Sequence, residues 1–89
     1  MTVRNVVVLN RAGIHARPAT MIVDTANRFK SQIFLKKDDL QINARSIMII
    51  LTLGATYKTP LQIIAEGEDE EAAADAMTAL FDSKFENHE

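Results

Sequence analysis

The chain has no cysteine, no basic excess and no long apolar run, and each absence closes off a class of function. Without cysteine there are neither disulfides nor thiolate metal sites, a composition that fits a reducing cytoplasm. The two histidines, His15 and His88, stand at opposite ends of the chain, so no sequence-local metal motif forms and no metal is expected. Ten Lys and Arg are outweighed by twelve Asp and Glu, for a net charge of −2, which does not suit a protein that coats nucleic acid. Aromatic residues are few (four Phe and one Tyr) and scattered, with no basic stripe running between them. The longest apolar run, Ile47 to Leu51, is far too short to span a bilayer. Met1-Thr2-Val3-Arg4-Asn5 leads straight into an apolar strand, without the charged region, apolar stretch and cleavage site of a signal peptide. The expectation is therefore a cytoplasmic protein with no nucleic acid partner and no membrane insertion.

What is present is the makings of one compact domain over residues 1–89, 47% hydrophobic and 25% charged. A domain this small hides only about 60% of the surface its unfolded chain exposes, which places function at the surface. Thr2 to Leu9 is rich in β-branched residues and reads as a strand. Asn10 to Ile14 reads as a loop, and Pro18 sits where a helix accepts proline, in its first turn. Ala19, Ile22, Val23 and Ala26 then follow helical spacing as a buried face, while Arg17, Met21, Asp24 and Arg28 fall elsewhere on the same helix.

Ile33 and Leu35 alternate with polar or aromatic neighbours as a second strand, and Asp38-Asp39 predicts a turn into a short strand, Leu40 to Asn43. Ser46 before and Gly54 after are cap preferences for a short helix from Ile47 to Leu53. Leu61 to Ala65 reads as a fourth strand, with Pro60 tolerable at its start. The acidic Glu66 to Glu71 suits the N-terminus of a last helix, whose apolar side carries Ala73, Met77, Leu80 and Phe81. Glu86 to Glu89 is expected to fray. The order is βαββαβα: an α+β open-faced sandwich, a four-stranded antiparallel sheet with three helices on one face.

Three features converge on His15. Histidine ordinarily keeps a neutral, nucleophilic ring nitrogen available at neutral pH. A place just ahead of a helix puts it beside unpaired amide hydrogens and the positive end of the helix dipole, a setting that accommodates a phosphoryl group. Arg17 adds a permanent cation whose donor fork matches phosphate oxygens, and Pro18 stiffens the turn that carries both. A histidine at a helix start also serves simply as a polar cap, and spacing alone leaves both readings open.

Gly13-Ile14-His15-Ala16-Arg17-Pro18-Ala19 resembles the active-site signature of the histidine-containing phosphocarrier (HPr/NPr) family of the bacterial phosphoenolpyruvate-dependent phosphotransferase system. Ser46-Ile47-Met48, Thr52-Leu53-Gly54 and Ala65 to Glu70 resemble further family segments in the expected order, so the resemblance runs nearly the full length. It implies that His15 accepts a phosphoryl group on Nδ1 from phosphorylated enzyme I, that Arg17 stabilises its charge, and that the group passes to IIA domains of sugar permeases. It implies a monomeric carrier, without cofactor or metal, that is an intermediate in phosphoryl transfer and not an independent turnover enzyme. It further implies a docking patch of Ala16, Thr20, Met21, Ile47 and Met48, extended here by Ile49 and Leu51.

Ser46 has two readings: an N-cap worth about 1 kcal/mol, or additionally the site at which branches of the family are phosphorylated by HPr kinase/phosphorylase, with Arg45 as a counter-charge. Ile49 and Leu51 depart from the family, where small or polar residues are usual; they are either extra core, or else a stickier partner surface or a face for self-association. Ala12 lacks a polar group that many relatives have, and Asp24 and Asn27 replace frequent lysines, which changes how partners are attracted. The alternative function is that of an NPr-like or mainly regulatory relative, signalling through its phosphorylation state.

Overall fold

The computed structural model describes residues 1–86. Its elements are β1 (Thr2–Val7), α1 (Ala16–Ala26), β2 (Gln32–Lys37), β3 (Leu40–Asn43), α2 (Ile47–Leu51), β4 (Pro60–Glu66) and α3 (Glu70–Asp82). This is the βαββαβα order expected, and the four strands form one antiparallel sheet in the order β1-β4-β2-β3. The two middle strands are the most apolar: Ile33, Leu35, Leu61, Ile63 and Ala65 all point into the core with at most 2% of their surface exposed. Period-two alternation dictates this, since a strand turns every second residue to one face. The opposite face of the sheet is open to solvent. The tail expected to fray falls outside the described residues except for Glu86, whose amide donates to the Ser83 carbonyl at 3.2 Å.

α1 and α3 cover the inner face of the sheet with Ala19, Ile22 and Ala26 from one and Ala73, Ala74, Met77 and Phe81 from the other. Small residues let the helix backbones approach the sheet and each other closely. Three expectations need adjusting here. Val23 and Leu80 are only half-buried, because the apolar stripe is narrower than the pattern suggested and their positions fall at its margin. Arg28 lies beyond the helix, which ends at Ala26 with Asn27 as its cap. β1 stops at Val7, although Val8 continues the pairing irregularly: its amide donates to Thr59 O at 3.0 Å and its carbonyl accepts from Lys58 N at 2.7 Å.

α2 is also shorter than expected. It ends at Leu51 with Thr52 as cap, and Leu53 reaches the core from the turn that follows. The Lys37 ammonium donates to the Leu53 carbonyl at 2.9 Å, tying the turn after α2 to the neighbouring hairpin. That hairpin turns where expected, with Asp38 at φ 53°, a conformation Asp tolerates better than most residues.

The start of α3 is tied to two distant segments. Asp69, the N-cap, makes no side-chain capping bond. Its carboxylate instead accepts from the Lys30 and Ser31 amides, each at 2.9 Å, and from the Ser31 hydroxyl. These bonds, the Ser31 hydroxyl foremost, pull its pKa from 3.8 to about 2. Glu70 accepts from the Thr2 hydroxyl at 2.6 Å, the N-terminal ammonium at 2.9 Å and the Gly67 amide at 3.1 Å, and its pKa falls likewise from 4.5 to about 2. Gly67, at φ 150°, passes so close to Ser31 that an added Cβ would lie 2.8 Å from its Cα.

Candidate phosphoryl-acceptor site

The loop that delivers His15 is a hydrogen-bonded unit. Gly13 N donates to Asn10 O at 3.0 Å, and the Asn10 side-chain amide returns a bond to Gly13 O at 2.6 Å. Ile14 N donates to Ala55 O at 3.0 Å while its side chain is buried, docking the loop on the segment after α2. Gly13 adopts φ 76°, where a side chain would meet Ala55 O at 2.9 Å. The residue before the histidine is thus anchored by its backbone and its side chain together.

His15 is the N-cap of α1, extended at φ −104° and ψ −165°, and its carbonyl accepts the Ala19 amide at 3.0 Å. Its side chain makes no capping bond, so the imidazole is exposed and uncommitted as a helix cap. The polar-cap reading therefore holds for the backbone of His15 only. In the first turn, Ala16 and Arg17 have amides for which the helix offers no acceptor, and Pro18 has none to satisfy. Pro18 is buried, whereas Ala16 and Arg17 are exposed. An exposed ring nitrogen, two free amide donors and a guanidinium on one helix start can receive an anion and hold it.

The tertiary structure adds residues that spacing did not reveal. A shallow open depression holds His15, Arg17 and Pro18 together with Asn10, Arg11 and Ala12 from the preceding loop, and its far wall is Lys84, Phe85 and Glu86 from beyond α3. Arg11 lies over the Tyr57 ring at 5.7 Å, and Lys58 approaches the same ring at 5.4 Å. No local signal ties residues at the end of the chain to His15; only packing of α3 against α1 brings them there. Among the described residues no group of three or more His, Asp or Glu could hold a metal, and no helix is long and apolar enough to cross a membrane.

Ser46 is placed apart from this depression, as the N-cap of α2, with its hydroxyl accepting from Ile49 N at 3.3 Å. The expected capping role is therefore seen directly. Arg45 does not serve as its counter-charge: the guanidinium donates to the Phe29 and Ser31 carbonyls, both at 2.8 Å, and is spent on that loop. The apolar residues of α2 divide clearly. Ile50 is fully buried and Leu53 nearly so, while Met48 is 79% exposed, Ile49 43% and Leu51 40%. The extra-core reading of Ile49 and Leu51 is thus ruled out, since Ile50 and Leu53 fill that space. α2 packs against α1, which carries exposed Ala16 and Thr20 and half-buried Met21; Ile47 is also half-buried.

An open-faced sandwich with an uncommitted histidine at an exposed helix start is the architecture of a small phosphocarrier. Residues 2–83 match a family model described as the PTS HPr component phosphorylation site. The chain is 49% identical over 86 residues to the phosphocarrier protein HPr of Treponema pallidum, covering 97% of this chain and 98% of that one. It is 42% identical over 79 residues to the HPr-like protein Crh of Bacillus subtilis, covering 89% and 93%. Among solved structures, HPr-C-His from Thermoanaerobacter tengcongensis superposes with a TM-score of 0.93 at 42% identity, over the whole of both chains. The chain belongs to the HPr family of phosphocarriers of the phosphotransferase system.

Proposed function

We propose that this single domain, acting as a cytoplasmic monomer, accepts a phosphoryl group on His15 from phosphorylated enzyme I and passes it to IIA domains of sugar permeases. The observation that carries this reading is the exposed His15 ring beside the free Ala16 and Arg17 amides. An unprotonated ring nitrogen attacks the phosphorus of the donor phosphohistidine. One P–N bond forms as the other breaks, and the donor nitrogen leaves with its electron pair. Little covalent assistance is needed; positioning and charge stabilisation dominate, and Arg17 with the two amides supplies them. A shallow site suits a carrier that must present one nitrogen to two different proteins in turn.

Ala16, Thr20 and Met21 on α1 and Ile47, Met48, Ile49 and Leu51 on α2 form the docking face around that nitrogen. Exposure of Met48, Ile49 and Leu51 supports this, as an apolar surface of this kind awaits a partner. Ser46, on the same short helix, is the regulatory position for HPr kinase/phosphorylase; a phosphate there adds about two negative charges at the edge of an apolar docking face. Exposed Asp24 and Asn27 favour a second reading, in which the chain is an NPr-like or mainly regulatory relative serving partners other than the acidic ones that lysines would attract.

Incubation with phosphoenolpyruvate and enzyme I, followed by mass spectrometry, tests the carrier reading. An acid-labile gain of one phosphoryl group, absent in His15→Ala, is expected; no gain with a competent enzyme I refutes it. Transfer onward to a sugar-permease IIA domain, or its failure although His15 is phosphorylated, separates the two readings.

A further inference from the structure

The turn after α3 builds one wall of the His15 depression, and it is a fixed structure. Lys84 and Phe85 both lie in the left-handed region, at φ 61° and 58°. Non-glycine residues stay there only where their surroundings over-determine it. Phe85 provides that constraint. Its side chain is 5% exposed and packs edge-on to Phe81, with ring centroids 4.8 Å and planes 70° apart. The Phe85 amide donates to Leu80 O at 3.0 Å and the Lys84 amide to Phe81 O at 3.1 Å, so the backbone is held on both sides of the turn. Lys84 lines the depression with His15 and Arg17, is exposed, and forms no ion pair among the described residues.

A phosphoryl group on a ring nitrogen carries about two negative charges, whereas α1 offers one cation and two amide dipoles. Arg11, also on the rim, has its guanidinium over Tyr57. From this arrangement we infer that Lys84, held in place by the buried Phe85, is a second charge-stabilising residue for the phosphoryl group and sets, with Arg17, how firmly the carrier holds it. This rests on His15 being the acceptor.

The test is the equilibrium of His15 phosphorylation, read by intact mass over a range of phosphoenolpyruvate-to-pyruvate ratios with catalytic enzyme I. Lys84→Gln is expected to lower the equilibrium constant about two- to fivefold, the range for a partly screened charge pair. Lys84→Glu should lower it further and Lys84→Arg should restore it. The loss should shrink at high salt, and the unfolding midpoint of Lys84→Gln should match that of the wild type. Phe85→Leu, which keeps the charge but loosens the anchor, should show part of the same loss; if it fails to fold, the Lys84 variants decide. Equal constants for wild type, Lys84→Gln and Lys84→Glu overturn the inference while leaving His15 as acceptor. So does a loss that Lys84→Arg fails to restore. Absence of any phosphoryl group on His15 in the wild type overturns the inference and the carrier reading together.

Discussion

Substituting Gly13 by alanine probes the join between fold and site most directly. Gly13 sits at φ 76°, and a left-handed conformation costs an L-residue about 1–2 kcal/mol. The new Cβ would also meet Ala55 O at 2.9 Å and Thr56 Cα at 3.1 Å, both backbone atoms that cannot swing aside. The loop must then back away from the 55–56 segment. That weakens the bond from Ile14 N to Ala55 O, a further loss of about 1 kcal/mol. Together these give a destabilisation of about 2–3 kcal/mol, or a fall in Tm of roughly 10–20 °C for a domain of this size.

Gly54→Ala is the internal control. Gly54 has a similar φ of 60°, yet an added Cβ would find only the flexible Lys37 ammonium at 3.9 Å. It should therefore cost the conformational part alone, about 1–2 kcal/mol. Urea unfolding of both variants measures the difference, and phosphorylation by enzyme I measures its consequence, since Ile14 and His15 move with the loop. Equal destabilisation by the two substitutions would show that the close approach to Ala55 does not hold the His15 loop.

Acid should weaken the tether at the start of α3. Asp69 and Glu70 have folded-state pKa values of about 2, below their ordinary 3.8 and 4.5, so the unfolded chain binds more protons between those limits. Their stabilisation is complete above about pH 5 and is lost as pH falls towards 2; Asp69→Asn should flatten that part of the stability–pH profile, and an unaltered profile would refute the assignment. Ser46→Ala should destabilise the domain by about 1 kcal/mol in urea titration through loss of the bond to Ile49 N, whereas Ser46→Asp should keep the cap. Met48→Gln, at a side chain 79% exposed, should change stability by less than about 0.5 kcal/mol while slowing phosphoryl acceptance from enzyme I. Unchanged transfer kinetics would remove Met48 from the docking face.

The sequence by itself determined the element order, most of the buried faces of α1 and α3, the hairpin at Asp38-Asp39 and the Ser46 cap, because each depends on neighbours within a few residues. It also placed His15 at a helix start with Arg17 beside it, since caps, helical spacing and proline placement are local properties. The ends of elements were less legible: β1 and α2 each stop two residues early, where a tertiary contact takes over from the local pattern. Three things only the tertiary structure decided. Arg45 is directed at the Phe29 and Ser31 carbonyls and not at Ser46. Ile49 and Leu51 face outward because Ile50 and Leu53 already fill the core beneath them. Lys84 and Phe85 stand across from His15 because α3 packs beside α1 and the chain turns back at its end. Each reflects competition for space or for hydrogen-bond partners among residues far apart in sequence, and no local pattern records who wins it.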